Sequence, residues 1–472
     1  MNGQQQIGET LRRMSKRNKS AFFKAIVRQI NSGEAHELME LLKRRLVVDP
    51  LVELPVELQF RVLLALVDPV DLLRIALVCK SWNKVVFDEH LWKRVMKKCA
   101  QSGPARSLMI KFSLEKAIHA VKFETSLRRN WEHAEYRKTT IPAHGSSVIT
   151  CLHIDDGKGR LISGADNGII GVWDLHLQAG GGASNLMTLT GHQGGVWALC
   201  VDGDTLVTGS TDRTLIVWDL QTKQRSHDLV GHSSTVRCVV ILGEWIVSGS
   251  RDGTVRVWCR ASGRCLHILT GHTASVRCMA IWGWHHIVTG SYDGTLRVWD
   301  LISGRCTAVC EGHDGKVYSV VVTENYIFSG GMDAKIRVWR PTDGELVDVF
   351  LDHSSLVGLL EVRGDYLIAG STDGSLSLWD ARTLRRIRHL EYAHRSAVTA
   401  LNLNNYAVLS GSERCLQLWP VSELCNEEPV ESIVLSEKME VIWRIVTSEL
   451  YAVIAYQQAG ITRMDIYSFC HS

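Results

Sequence analysis

Residues 231–258 read GHSSTVRCVVILGEWIVSGSRDGTVRVW. Three short apolar runs, VRCVVIL, WIVSGS and TVRVW, are separated by Gly243-Glu244 and by Arg251-Asp252-Gly253. Each run is too short for a helix and rich in β-branched residues, so the stretch reads as three antiparallel strands joined by tight turns. Arg237 and Arg251 sit at the ends of otherwise apolar strands, and a reading of the fold has to say why.

The pattern returns in both directions. His192, His232, His272, His313, His353 and His394 follow one another at steps of 40, 40, 41, 40 and 41, and each is followed 25 to 27 residues later by Trp218, Trp258, Trp299, Trp339, Trp379 or Trp419. An earlier unit runs from His144 to Trp173, with the loop QAGGGAS after it. This period, with its GH…WD marks and four short strands per unit, is that of a WD-repeat β-propeller. Seven units are clear. The C-terminal EVIWRIVTSELYAVIAYQQAGITRMDIYSF lacks the His and Trp marks but still reads as three strands. Residues 134–141 supply a closing strand from the other end, which makes eight blades, the last shared between both ends and all within about 139–472.

The first third of the chain is different. Residues 1–19 are a basic, disordered tail. Residues 20–50 carry two helical stripes, Phe22, Phe23, Ile26, Val27 and Ile30, then Leu38, Leu41 and Leu42, broken at Asn31-Ser32-Gly33. So small a pair of helices cannot bury both stripes alone, so residues 20–46 are either a packing layer or a self-association element. Residues 51–95 are also helical, with Pro55 and Pro69 at helix starts and more apolar surface (Leu58, Val62, Leu66, Leu72, Leu73, Ile75) than the module needs internally. Residues 96–138 read as a helical linker.

Bulk chemistry narrows the function. A net charge of +3 gives no whole-chain argument for nucleic acid. The thirteen cysteines form no C-x-x-C pair, so neither a zinc site nor a disulfide framework is expected. The start MNGQQQIGETLRR has no apolar h-region and there is no 18-residue apolar run, so the expected location is the nucleus or cytoplasm, with no membrane contact. No phosphate loop or cofactor motif is present.

Positions constant from unit to unit serve the fold. His232, Ser248, Asp252 and Trp258 recur as His272, Thr289, Asp293 and Trp299. Six such sets cannot all be active sites; they form a hydrogen-bond relay tying the loop before the first strand (a) of a blade to the turn after the second (b). Ala369 replaces the hydroxyl in the sixth unit, and a one-residue deletion near Glu413-Arg414 disturbs the seventh, so those blades are expected to be looser.

Function belongs where the units vary. One variable column follows the strand-a valine: Ile149, Trp197, Arg237, Arg277, Tyr318, Gly358, Thr399 and Trp443. A second precedes the turn aspartate: Asp166, Thr211, Arg251, Tyr292, Met332 and Thr372, with Arg213 just after its own aspartate. Strands a and b are antiparallel neighbours, so both columns face one end of the propeller, around the mouth of its channel. Four arginines without a matching acidic column repel one another, which an anionic ligand relieves. Guanidinium forks fit phosphate, and Trp197, Tyr292 and Tyr318 fit an apolar or proline-containing peptide. Arg256, Arg297 and Arg337, two before a tryptophan on strand c, read as solvated strand-face residues.

LPVEL at 54–58, DLLRIALVCKSWNKV at 71–85 and LW at 91–92 resemble an F-box, the module that docks on the Skp adaptor of SCF ubiquitin ligases. An F-box followed by WD repeats is similar to the substrate receptors of that class. GGVW (194–197), STDR (210–213), STVRC (234–238), SGSRD (248–252), SVRC (275–278), SYD (291–293) and KVYS (316–319) resemble the phosphodegron receptors of the Fbw/archipelago type, which target cyclin E-like proteins. The resemblance implies a non-catalytic receptor for phosphorylated substrates in cell-cycle protein degradation, without cofactor or metal. Arg237, Arg251 and Arg277 then bind the phosphothreonine, with Arg213, Ser234, Thr235, Trp197, Tyr292, Tyr318 and Arg444 in support. Leu54, Pro55, Leu58, Leu72, Leu73 and Trp82 meet the adaptor, which leads to the cullin/RING core, and residues 20–46 pair two copies. Two alternatives stand beside it: an F-box/WD receptor for a differently marked substrate, as in sulfur metabolism, and a WD scaffold outside the ligase class.

Overall fold

The computed structural model describes residues 114–175, 185–426, 429–437 and 439–470, together with 59, 60, 63, 85, 86, 88, 90–92 and 94. The chain divides into two compact units, Met1–Ser126 and Leu127–Ser472. In the first, Phe60, Leu63, Val86, Leu91 and Trp92 are buried, and the Trp92 indole donates to the Val86 carbonyl at 2.6 Å. Leu54, Pro55, Leu58, Leu72, Leu73 and Trp82, and residues 20–46, lie outside the described residues.

The second unit is a ring of eight four-stranded antiparallel sheets. Blades 1 to 7 span 149–189, 196–230, 236–269, 276–311, 317–350, 357–390 and 400–436, each with strands a to d in chain order from the channel outward. Strand b is buried along nearly its whole length (Trp245–Ser250, Tyr366–Ser371), because adjacent blades cover both its faces, which is why its sequence is a continuous apolar run. Strand d forms the exposed rim.

Blade-to-blade contact is set by a glycine in strand b. A Cβ on Gly249 would lie 2.7 Å from Val276 Cγ1 of the next blade's inner strand and 2.6 Å from Cys238 Sγ in its own blade. The same holds for Gly209 against Val236 and Gly290 against Val317. No larger residue fits there.

The eighth blade closes the ring with both ends of the chain. Val441–Thr447, Tyr451–Gln458 and Ile461–Ser468 supply three strands, and Arg137–Pro142 pairs with the last in the register Arg137↔Ser468 to Pro142↔Arg463. Asp465, fully buried between them, accepts from Lys138 Nζ and Thr140 Oγ1, both at 2.6 Å, and from the Tyr456 hydroxyl at 3.1 Å. The C-terminal end of the helix Leu114–Glu132 seals the same blade: Trp131 stacks on Phe469 at 3.6 Å and donates to the Glu449 carbonyl at 2.8 Å.

The relay is present as a physical object. In blades 2 to 5 the histidine Nδ1 meets the aspartate (His232–Asp252, 2.9 Å) and Nε2 meets the strand-b hydroxyl (His232–Ser248, 2.8 Å), which the tryptophan also engages (Trp258 Nε1–Ser248, 2.9 Å). In blade 6 the lost hydroxyl of Ala369 is made good from the other side. Ser375 and Ser377 bond His353 at 2.6 and 2.8 Å, and Trp379, its indole N–H without a partner among the described residues, stacks on Phe350 at 3.6 Å. The expected looseness is therefore offset there by packing. In blade 7, His394 keeps Ser410 at 2.7 Å but its Nδ1 has no partner among the described residues.

His144, His353 and His394 have no carboxylate hydrogen-bonded to the ring among the described residues, and burial pushes each down to about 4. An unfolded histidine titrates near 6.5. As pH falls, the unfolded chain therefore takes up these protons first, and stability is complete above about 6.5 and lost between 6.5 and 4. Melting curves across that window should show a steady fall in Tm, worth on the order of 1–3 kcal/mol per histidine. His353→Gln should flatten part of the slope, and a pH-independent Tm would contradict these buried neutral rings.

Candidate functional site at the channel mouth

The variable columns meet as antiparallel pairing requires. Arg251 N donates to the Thr235 carbonyl at 2.8 Å, Tyr292 N to Ser275 at 2.9 Å, Thr211 N to Gly195 at 2.9 Å and Met332 N to Lys316 at 2.9 Å. Each b–c turn is thus stitched to the loop that opens its own strand a.

The residues after the strand-a valine share a further feature. The a–b register slips between Val196 and Ala198, Val236 and Cys238, Val276 and Cys278, Val317 and Ser319, and Val357 and Leu359. Trp197, Arg237, Arg277, Tyr318 and Gly358 are therefore bulge residues, unpaired in the ladder and turned away from it. This explains how an arginine sits in a buried strand: its backbone has left the strand's alternation. In blade 1 the slip falls between Ile149 and Cys151, so Thr150 holds the slot and Ile149, fully buried, takes the place of the valine. The loop there is one residue longer than the count from His144 allowed for. In blade 8 the bulge residue is Trp443, which packs against the core shared by the closing and first blades, and Arg444 occupies the next, channel-lining position.

The cations gather around Arg277. Arg237 lies 5.1 Å over the exposed Trp197 ring, a cation–π arrangement that aims its guanidinium. Burial holds its pKa below the usual arginine range, and Arg277 and Arg251 lower it further. Arg444, four blades away in a ring of eight and hence across the channel, donates from Nε to the Thr150 carbonyl at 2.7 Å. Burial and then Arg277 depress it too. Tyr292 and Tyr318 form a tilted ring pair 5.2 Å apart, and burial, then the neighbouring Tyr292, raises the Tyr318 pKa. Among the described residues no carboxylate lies within ion-pairing distance of Arg213, Arg237, Arg251 or Arg277.

Ser234 and Thr235 flank the cluster, their carbonyls used inside the blade by Ser250 Oγ (3.1 Å) and Arg251 N (2.8 Å). Arg213 stands exposed on the blade-2 turn with φ 73°, where blades 3 and 4 have Gly253 and Gly294. Two contributors escaped the sequence reading. Lys316 Nζ lies 5.2 Å from the Tyr292 ring, and its signal was the position one before the strand-a valine. Ser275, the counterpart of Thr235, has a buried Oγ without a partner among the described residues.

Of the strand-c arginines, Arg337 is buried, and Arg256 and Arg297 are half-buried. Arg337 is 8% exposed and paired with Asp333 at 3.4 Å and Asp314 at 3.7 Å. Arg256 lies 6.0 Å from the Trp258 ring against Gly231, and Arg297 lies against Gly271. Loops from the preceding strand d cover them, which a strand-by-strand reading does not see.

Fold and family matches together define the class. An F-box-like model matches residues 51–98, and the WD domain, G-beta repeat model matches 136–174, 183–219, 223–259, 263–300, 304–340 and 344–380. The chain is thus an eight-bladed WD-repeat propeller with an F-box-like segment ahead of it. Among individual proteins it is similar to cell division control protein 4 of Saccharomyces cerevisiae, 31% identical over 219 residues, 43% of this chain and 27% of that one. It is also similar to F-box/WD repeat-containing protein 7 of Drosophila melanogaster, 32% identical over 37% of this chain and 13% of that one. The matched stretches thus span 27% or less of these relatives' length. Among solved structures, the computationally designed Ika8 protein superposes with a TM-score of 0.60 at 28% identity, covering 68% of this chain and 98% of that one.

Arg213 tests how far the mouth is built against stability. A non-glycine residue at φ 73° costs roughly 1 kcal/mol. Arg213→Gly should raise the unfolding free energy by about 1 kcal/mol, read as a higher denaturant midpoint at unchanged slope, whereas Gly253→Arg in the next blade should lower it; equal midpoints for wild type and Arg213→Gly would mean the turn is unstrained.

Proposed function

We propose that this chain is the substrate receptor of an SCF-type ubiquitin ligase, holding a phosphorylated degron at the channel mouth while the F-box-like segment docks on the Skp adaptor. The observation that carries the reading is the group of guanidiniums on consecutive blades, lifted out of the strands by bulges and lacking carboxylate partners among the described residues. A phosphothreonine brings a charge near −2 and three acceptor oxygens, and so neutralises the mutual repulsion of Arg237, Arg251 and Arg277 at one point. Trp197 on one flank and the Tyr292–Tyr318 pair on the other offer aromatic faces to the peptide around it. Catalysis lies elsewhere in such an assembly: the receptor presents the substrate's lysines to the charged conjugating enzyme, and proximity supplies the rate.

Each charge-assisted bond to a guanidinium is worth roughly 1.5–3 kcal/mol. Arg237→Ala, Arg251→Ala or Arg277→Ala should accordingly weaken phosphopeptide binding by about tenfold to a hundredfold in fluorescence anisotropy. Lysine at these positions should rescue little, because an ammonium lacks the bidentate fork. The Tm should hold or rise slightly. Arg340→Ala, on a c–d turn at the other end and paired with Asp343 and Glu345, should bind as wild type does. Affinity indifferent to the phosphate would remove the phosphodegron reading and leave a receptor for another mark.

Adaptor docking is a separate test. Leu54→Ala with Pro55→Ala should abolish co-purification with the Skp adaptor and leave the propeller's melting transition in place. Wild-type recovery of the adaptor would favour a scaffold outside the ligase class.

A further inference from the structure

The opposite end of the propeller carries its own departure from the repeat. In blade 4 the a–b turn reads Trp282-Gly283-Trp284-His285-His286, one residue longer than Leu242-Gly243-Glu244-Trp245 in blade 3. His286 pairs in register with Asp300 at the end of strand c, and Leu301 N donates to the His285 carbonyl at 2.9 Å. The equivalent slots hold Asp204, Thr205 and Asp219 in blade 2, Glu244, Trp245 and Cys259 in blade 3, and Asp365, Tyr366 and Asp380 in blade 6. None of those blades has two histidines facing the aspartate.

We propose that His285, His286 and Asp300 bind a divalent transition-metal ion, Zn2+ in the first place, on the face of the propeller opposite the arginine mouth. One donor atom from each of the three lies within 4.8 Å of the others. The two imidazole rings are 4.0 Å apart and tilted by 46°. His285 Nδ1 is buried and has no hydrogen-bond partner among the described residues, so a donor atom is present with nothing on the protein to use it. Asp300 is already fixed, its Oδ1 accepting from Ile302 N at 2.9 Å and its Oδ2 from Ser303 Oγ at 2.7 Å. Supports of this kind orient a metal-binding carboxylate and leave lone pairs free.

The donor set selects the ion. Two imidazoles and one carboxylate suit Zn2+, Ni2+ or Cu2+, whereas Mg2+ and Ca2+ take oxygen ligands. Zn–N bonds of about 2.0–2.1 Å put the donors of a tetrahedral site roughly 3.3 Å apart, a distance these side chains reach by small rotations. Trp284 packs edge-on to His285 at 4.5 Å and Trp282 tilts on His286 at 5.1 Å, so indoles wall the site on two sides. Trp282 is itself tied to the Glu324 carbonyl at 3.2 Å. The fourth position remains for water or for a side chain from a partner docked on this face. The competing account is a stacked histidine pair that merely decorates a turn, and it predicts no saturable metal site.

The experiment is a calorimetric titration of the chelator-stripped full chain with ZnCl2 near neutral pH, with MgCl2 as the comparison. One Zn2+ per chain should bind, and His285→Gln, His286→Gln or Asp300→Asn should each weaken it tenfold or more while the metal-free Tm stays unchanged. No saturable binding, or variants that bind Zn2+ as wild type does, would overturn the proposal. Should a variant fold poorly, Co2+ bound to the wild-type chain decides instead. An intense tetrahedral visible spectrum supports the site, and a weak octahedral one, or none, sinks it. Phosphopeptide affinity should be the same with and without Zn2+, so this test and that of the receptor reading stand or fall separately.

Discussion

In seven of its eight blades the propeller depends on a contact made by a glycine that carries no Cβ. In blades 1 to 7, Gly249 and its counterparts let an inner valine or isoleucine of the next blade come against the strand-b backbone, and in the closing blade the small Ala455 holds the same slot. The bulge lies at the same level. Cys238 pairs with Gly249 and Val236 with Ser250, which leaves Arg237 as the surplus residue between them. With a neighbouring blade pressed against the glycine, the surplus residue can turn only toward the channel mouth. Tight packing of the ring and presentation of Arg237 and Arg277 are two outcomes of one local geometry.

That geometry explains what the sequence disclosed. The forty-residue period and its His, Asp and Trp marks identify blades because each relay is local to one blade, within about 27 residues of chain. The site columns are nearly as legible, since adjacency of strands a and b follows from antiparallel pairing alone. What failed did so where a neighbouring element intervenes. Arg337 looked solvated until a preceding loop and Asp314 were seen to cover it, and Ile149 was one residue off because the first loop is longer. The loss at Ala369 looked like a broken relay because the replacement hydroxyl, Ser377, comes from strand c. His285 and His286 carried no signal: metal motifs are recognised by spacing along the chain, and Asp300 reaches them only through strand register.

The mutual repulsion of the mouth arginines is unfavourable to the folded ring, and this follows from what surrounds them. Arg237 and Arg444 have depressed pKa values from burial and from Arg277, so each stays charged at some cost to the folded state. A surface arginine such as Arg340 relieves its charge with Asp343 and Glu345. Arg237 has an aromatic ring and Arg444 a backbone carbonyl instead. These attract a guanidinium without neutralising it, so the field at the mouth remains positive and available to an anion. Carboxylates in the same places would stabilise the ring and cancel the site.

The eighth blade closes the ring without the marks of the repeat. A propeller made from a single chain must join its ends somewhere, and an unjoined blade would leave an open strand edge. Here Arg137–Pro142 covers that edge, and the hydroxyls and ammonium around Asp465 replace the histidine relay as the buried polar lock. A relay runs from the loop before strand a to the turn after strand b of one continuous unit. The closing lock has to bridge residues more than three hundred positions apart in the chain, so it is made between the last strand and the first. Freed from the relay, the blade carries an arginine at a channel-lining position where blades 1, 3 and 4 have Cys151, Cys238 and Cys278. Closure and sequence divergence thus fall in the same blade, and its inner strand supplies Arg444 to the channel.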